Sequence, residues 1–292
     1  METCEISCNF TYPQKEILNG SSAEKLSILQ LFTELDEAFG QYFDTGDPEV
    51  KTWFLVRQNT LAFLLCGAYI LFVKVIGPAM MRNRRPLDLR KPMILFNLFL
   101  VAAYTISMIT FFVNLPTLGF EKFCHGTAVR KGELAYTLAR CCWFLYVLKY
   151  IEFLDTIFFI LRKKENLVTN LHVVHHTIVP LAGWIMMRTE RSGFQSIPVF
   201  LNGFVHILMY TYYGLAAVGP QMKKYLWWKK YLTMLQMVQF ILIILFVAVI
   251  APSSGCLIMK SSLWIDVICG ITFLILFYNF YAQTFIKKGK SN

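Results

Sequence analysis

Seven stretches of this chain are almost unbroken apolar runs, and each comes near the roughly 20 residues that a helix needs to cross a bilayer. They lie at about 59–78, 93–113, 136–161, 171–188, 196–217, 231–251 and 263–285. The pattern predicts an all-α polytopic membrane protein with seven transmembrane helices, their ends placed to within about 2 to 4 residues. Residues 1–58 form the one long polar segment. Within it, Ser27 to Phe43 has apolar residues at helical spacing (Ile28, Leu31, Leu35, Phe39), which predicts a helix on the membrane surface. The expected division is a tail over 1–58, a seven-helix domain over 59–286 and a short tail over 287–292.

Composition agrees with that class. Hydrophobic residues make up 56% of the chain and charged ones only 16%, far from an ordinary soluble domain. The net charge of +10 does not point to nucleic acid, because the basic residues cluster between the apolar runs. The segments at Arg82–Lys91, Arg162–Lys164, Lys223–Lys230 and the C-terminus hold fifteen Lys and Arg, against six in the three short loops opposite. By the positive-inside tendency the N-terminus is lumenal and the C-terminus cytosolic. The first 58 residues carry ten acids against four bases and lack the basic start and apolar core of a signal peptide. Two sequons, at Asn9 and Asn19, fit glycosylation on a lumenal face. Lys288 and Lys290 stand fifth and third from the end, the arrangement of a retrieval signal to the endoplasmic reticulum; a stop-transfer anchor would use the same lysines.

Polar side chains inside apolar runs are expensive unless partnered or wet, so they carry the chemical information. The third run holds Lys149, Glu152, Asp155 and Thr156. The fourth opens with His172, His175 and His176, which share one face of a helix. Asn202, His206, Tyr210 and Tyr213 form a stripe on the fifth, and Thr233, Gln236 and Gln239 one on the sixth. Any one stripe could be an ion pair or interhelical hydrogen bonding with no further role; four together predict a polar chamber. Depth places that chamber. The histidines fall in the first two turns of a helix entering from the cytosol, and Gln236 and Gln239 lie about 8 to 13 Å inside theirs at 1.5 Å per residue. The chamber therefore opens to the cytosol over an apolar lumenal half, which suits a substrate with a charged head and a long hydrocarbon tail.

In order, Lys149-x-x-Glu152-x-x-Asp155-Thr156, His172-x-x-His175-His176, His206-x-x-Met209-Tyr210-x-Tyr212-Tyr213 and Thr233-x-x-Gln236-x-x-Gln239 resemble the four motifs of the very-long-chain fatty acid elongases, the condensing enzymes of the endoplasmic reticulum. The resemblance runs from about Arg82 to the C-terminus and includes Tyr225 to Lys230. It implies that a long-chain acyl-CoA is joined to malonyl-CoA with loss of carbon dioxide, giving a 3-ketoacyl-CoA two carbons longer. It also implies six helices enclosing a substrate tunnel, no metal and no cofactor. The product would pass to a 3-ketoacyl-CoA reductase, a 3-hydroxyacyl-CoA dehydratase and an enoyl-CoA reductase in the same membrane. Whether the chain works alone or as a homo- or hetero-oligomer stays open.

Two other classes share single features. A di-iron desaturase or hydroxylase carries a similar histidine box, but its metals need about eight histidines, and this chain has His125, His172, His175, His176 and His206. A heptahelical receptor or transporter shares the helix count, yet would gather its polar groups at the outer face or midplane.

Cys4, Cys8, Cys124 and Cys256 fall on the oxidising side, while Cys66, Cys141, Cys142 and Cys269 lie in apolar runs, and no spacing resembles a zinc site. Cys124 and Cys256 stand in the first and last lumenal loops between helices; position and resemblance together point to a disulfide. The anionic coenzyme A head is expected at the cytosolic mouth on some of Arg84, Arg85, Lys163, Lys164, Lys224, Lys229 and Lys230. The chamber has no cysteine beside its histidines, so an imidazole is the available nucleophile. Asn170 is expected to cap the fourth helix, placing the cluster at the positive end of its dipole, which favours neutral imidazole. The resemblance favours His175 as the residue that takes the acyl chain, with His206 and Asn202 binding malonyl-CoA. His172, His176, Lys149, Glu152, Asp155, Tyr210, Gln236 and Gln239 would orient these groups. The rival role for His175 is a general base in a direct ternary reaction.

Overall fold

The computed structural model describes residues 45–119, 133–190, 193–256 and 260–287, together with 30, 33, 34, 37, 43, 123, 124 and 258. The expectations for Asn9, Asn19, His125, Lys288 and Lys290, and for most of the surface helix before Phe43, fall outside these residues.

All regular structure among the described residues is helical. The elements are α1 (Asn59–Met81), α2 (Arg90–Leu118), α3 (Glu133–Ile151), α4 (Phe153–Leu161), α5 (Asn170–Thr189), α6 (Ser196–Val218), α7 (Lys229–Ser253) and α8 (Lys260–Tyr281), which continues as a wider turn over Ala282–Lys287. The expected single helix over 136–161 is two. Glu152 separates α3 from α4, and the turn tightens there, with Asp155 N donating to Glu152 O at 3.0 Å. α6 stops at Gly219, whose φ of +121° suits glycine, and Pro220 follows with no N–H to continue the ladder.

Among the described residues, four helices are long and apolar enough to cross a membrane: Asn59–Met81, Arg90–Thr117, Lys229–Ser253 and Ser262–Lys287. Their outward faces explain why water is the wrong solvent. On α2, Leu95, Leu98, Ile106, Ile109 and Val113 are each 58–69% exposed, a continuous apolar strip that suits hydrocarbon. Of the helices outside this set, α4 is only nine residues long, and α3, α5 and α6 carry buried polar residues such as Lys149, His176 and His206.

α2 packs along α6, α7 along α8, and α1 lies against α5 and α4. The α2–α6 seam is close because Gly203 sits under the Tyr104 ring; a Cβ there would stand 3.4 Å from Tyr104 Cδ1. Leu100, Tyr104, Leu145, Leu148, Phe200 and Tyr210 fill the core between α2, α3 and α6.

The bundle has two unlike ends. One gathers the basic connections over 82–89, 162–169 and 219–228 with the end of α8. At the other, Cys124 is bonded to Cys256 with Cα atoms 4.8 Å apart, and residues 45–58 run from the end of α5 along α3. Gly46 N donates to Arg188 O at 2.9 Å, and Tyr146 Oη to Leu55 O at 3.0 Å. A Cβ on Gly46 would meet Arg188 O at 2.2 Å, so the chain can cross there only as glycine.

Candidate active site

A cavity of about 440 Å³ opens at the basic end. It is lined from α2, α4, α5, α6, α7 and α8 together with the segment before α5; α1 contributes nothing to the wall. The lining includes His172, His175, His176, Asn202, His206, Asp155, Gln236 and Gln239. The expected Lys149, Glu152 and Tyr210 stand behind that wall, in contact with it.

The start of α5 positions the three histidines. Thr169, not Asn170, is the cap: its Oγ1 accepts from His172 N at 3.2 Å, and Asn170 is the first helical residue. The misplacement comes from two adjacent cap-forming residues, of which the earlier holds the extended backbone a cap requires. The helix runs through Pro180 without a break. His172 and His176 lie close, with ring centroids 4.4 Å apart. His175 turns instead toward α6, its ring parallel to that of His206 at 6.0 Å and 25°, with Phe273 of α8 at 5.3 Å on another side.

Behind His206 lies a buried charge cluster. Glu152, wholly buried, accepts at Oε1 from Tyr104 Oη, from Lys149 Nζ at 3.4 Å and from His206 Nδ1 at 3.1 Å. Lys149 Nζ also donates to Asn202 Oδ1 at 3.0 Å and lies 3.4 Å from both ring nitrogens of His206. An ionised carboxylate can only accept, so this geometry assigns the proton of neutral His206 to Nδ1 and leaves a lone pair on Nε2. The Lys149 and Glu152 charges cancel, which is how an ion pair persists at this depth. Asp155 is held separately, by Tyr210 Oη at 2.9 Å. On the far side, Gln236 Nε2 reaches Met209 Sδ at 3.7 Å, while Gln239 Oε1 is buried with no partner among the described residues.

Of the seven bases expected at the mouth, Lys229 lines the cavity. Arg84, Arg85, Lys163, Lys164, Lys224 and Lys230 are exposed at the same end without forming its wall. Lys163 is turned to Arg82 O at 3.2 Å, and Lys224 lies over the Tyr225 ring at 4.9 Å. Sequence reasoning missed Arg162, which lines the mouth with Lys229, and Tyr104, which holds Glu152. Asn97, also missed, lines the cavity with its Oδ1 buried and unpartnered among the described residues. Among the described residues, no cysteine lines the cavity and no group of His, Cys, Asp and Glu has the geometry to hold a metal ion.

Comparison with known proteins places this chamber in a context. The ELO: GNS1/SUR4 family matches residues 54–292. Among similar curated proteins, Very long chain fatty acid elongase 7 of Rattus norvegicus is 36% identical over 261 residues, 88% of this chain and 93% of that protein. Very long chain fatty acid elongase 5 of Homo sapiens is 39% identical over 268 residues, 88% of this chain and 86% of that protein. Very long chain fatty acid elongase 2 of Mus musculus is 39% identical over 260 residues, 87% and 86% of the two chains.

Proposed function

Because the chain belongs to the ELO: GNS1/SUR4 family, we propose a role in its reaction for each part of the chamber. The protein is a very long chain fatty acid elongase, an acyltransferase that condenses long-chain acyl-CoA with malonyl-CoA to a 3-ketoacyl-CoA two carbons longer. The observation that carries the mechanism is His175 facing His206 at 6.0 Å across a cavity without a lining cysteine among the described residues.

His175 attacks the acyl-CoA carbonyl. The C–S bond breaks, coenzyme A leaves as its thiol with the proton lost from the acylated imidazole, and the acyl group stays on His175 as an acyl-imidazole. Malonyl-CoA then enters beside His206 and Asn202 and loses carbon dioxide. Its enolate attacks the acyl carbonyl, the C–N bond breaks, and a proton restores His175. Lys149, next to Asn202 and His206, supplies positive charge as the enolate forms. Extension of acyl-CoA by the purified protein, strictly dependent on malonyl-CoA, tests the activity.

The acyl tail runs away from the mouth between the six wall-forming elements, with α1 outside them. The seven-helix arrangement over 59–286 sits in the endoplasmic reticulum membrane, the chamber opening to the cytosol and the 1–58 tail lumenal. Reductase, dehydratase and enoyl reductase enzymes consume the product in turn. In sealed microsomes, protease should trim the C-terminus and spare the tail, and glycan occupancy at Asn9 or Asn19 should shift its mass; the reverse protection overturns the orientation.

The coenzyme A phosphates dock at Lys229 and Arg162. Reversing Lys229 to Glu removes one charge-assisted contact and adds a repulsion, so KM for acyl-CoA should rise about tenfold. Reversing Lys224, engaged with Tyr225 away from the wall, should change it by less than about twofold. Equal effects would show that the mouth acts only through its overall field.

A further inference from the structure

α1 stands outside the chamber wall, yet one of its side chains reaches the histidine box. Tyr69 is 5% exposed, with its ring stacked on Phe153 at 4.3 Å and its Oη 2.9 Å from Thr156 Oγ1. Thr156, wholly buried on α4, is in turn 2.8 Å from His172 Nε2. Neither hydroxyl makes another hydrogen bond among the described residues. The chain of three groups therefore has three possible proton orders: one leaves His172 Nε2 bare, and two put its proton there.

Counting protons separates them. The phenol hydrogen of Tyr69 has one acceptor in reach, Thr156 Oγ1. If Tyr69 donates there, the Thr156 hydrogen is free to go to His172 Nε2, and every group is satisfied. In both other orders His172 donates from Nε2: either Thr156 donates to Tyr69 and the buried phenol hydrogen is stranded, or Thr156 accepts from both neighbours and its own hydrogen is stranded. A stranded buried donor costs about 1 to 3 kcal/mol, which favours the first order by roughly five- to a hundredfold. Neutral His172 then carries its proton on Nδ1. That nitrogen makes no hydrogen bond among the described residues and is not among the sealed unpartnered atoms, while the ring lines the chamber.

We propose that Thr156, which takes the Tyr69 hydrogen from α1 and gives its own to His172, fixes His172 in the Nδ1–H form, so that His172 offers a hydrogen-bond donor to the acyl carbonyl oxygen as His175 attacks it. His172 and His175 both line the cavity, three residues apart on α5, so a carbonyl carbon at His175 sits in the chamber that the His172 ring faces. Charge grows on that oxygen as the tetrahedral intermediate forms, and a donor already in place lowers the barrier. Thr156 is the positioning residue here; His172 touches the reacting atom. The proposal rests on the acyl-imidazole reading for the step it assists, though not for the tautomer itself.

The test uses the full-length protein in detergent or bilayers. A ¹⁵N spectrum of histidine-labelled wild type, assigned by loss of the His172→Gln signals, should show His172 Nε2 unprotonated and Nδ1 protonated. The opposite pattern overturns the proposal whether or not any variant folds. In single turnover, Thr156→Val should slow coenzyme A release about tenfold or more, with KM for malonyl-CoA unchanged, whereas Tyr69→Phe, which leaves Thr156 its hydrogen to give to His172, should stay within about twofold of wild type. The double variant should be no slower than Thr156→Val, because Tyr69 reaches His172 only through Thr156. Release by Thr156→Val within twofold of wild type, or a Tyr69→Phe loss that multiplies with it, would overturn the proposal. If wild type turns over yet releases no coenzyme A before malonyl-CoA arrives, the acyl-enzyme reading fails separately, and the ¹⁵N spectrum still decides the tautomer.

Discussion

Replacing His175 with alanine should abolish chain extension, by at least about a thousandfold in kcat, with little change in thermal stability. Both halves follow from where the ring lies. It projects into the cavity beside His206 and Phe273 and makes no hydrogen bond that the fold depends on among the described residues. No cysteine lines the chamber to replace it among the described residues, and the neighbouring His176 is turned toward Tyr69 and Phe153 at 6.2 and 6.3 Å. Without an atom to hold the acyl group, coenzyme A release in the absence of malonyl-CoA should vanish along with turnover. A residual rate within about tenfold of wild type would mean that His175 assists a reaction whose bonds form elsewhere.

The second large effect is on stability. Glu152→Ala should destabilise the protein by about 3–5 kcal/mol, because it leaves the Lys149 ammonium buried without its carboxylate and takes the acceptor from Tyr104 and His206. A plain cavity at this site would cost less and would not depend on Lys149. Replacing both partners, Lys149→Met with Glu152→Met, should therefore recover the part of the loss that comes from the unpaired ammonium, while Tyr104 and His206 still lack their acceptor. Activity should stay lost in the double variant, because His206 loses the acceptor that fixes its tautomer and Asn202 loses the lysine. Thermal midpoints of the three proteins in one detergent measure this. A double variant no more stable than Glu152→Ala would argue against a charge-pairing origin.

Much of this site could be read from the chain because a membrane interior makes polar residues conspicuous. Lys149, Glu152, Asp155, the histidine box and the glutamines of α7 stand out against apolar neighbours, and helical spacing puts each set on one face. Other features follow from contacts that periodicity does not contain. Both halves of the 136–161 run read as one helix, and only packing shows the turn at Glu152. Arg90 and Lys91 look like loop residues by charge, yet form the first turn of α2. Thr169 and Asn170 are both cap formers, and the backbone decides between them. Tyr104 and Asn97 were within reach of sequence reasoning, since they are seven residues apart on one face of an apolar helix. Tyr69 was not, because a single tyrosine in the middle of an apolar helix looks like any packed aromatic until Thr156 is found beside it. The joining of Cys124 to Cys256, expected partly from resemblance, appears here at the end of the bundle away from the mouth.

The central claim is that the acyl chain rests on His175 between the two substrates. Purified protein mixed with acyl-CoA alone should release coenzyme A, up to one equivalent per active site, and the peptide containing His175 should gain the mass of the acyl group. No release under those conditions, with normal extension once malonyl-CoA is added, would contradict the account.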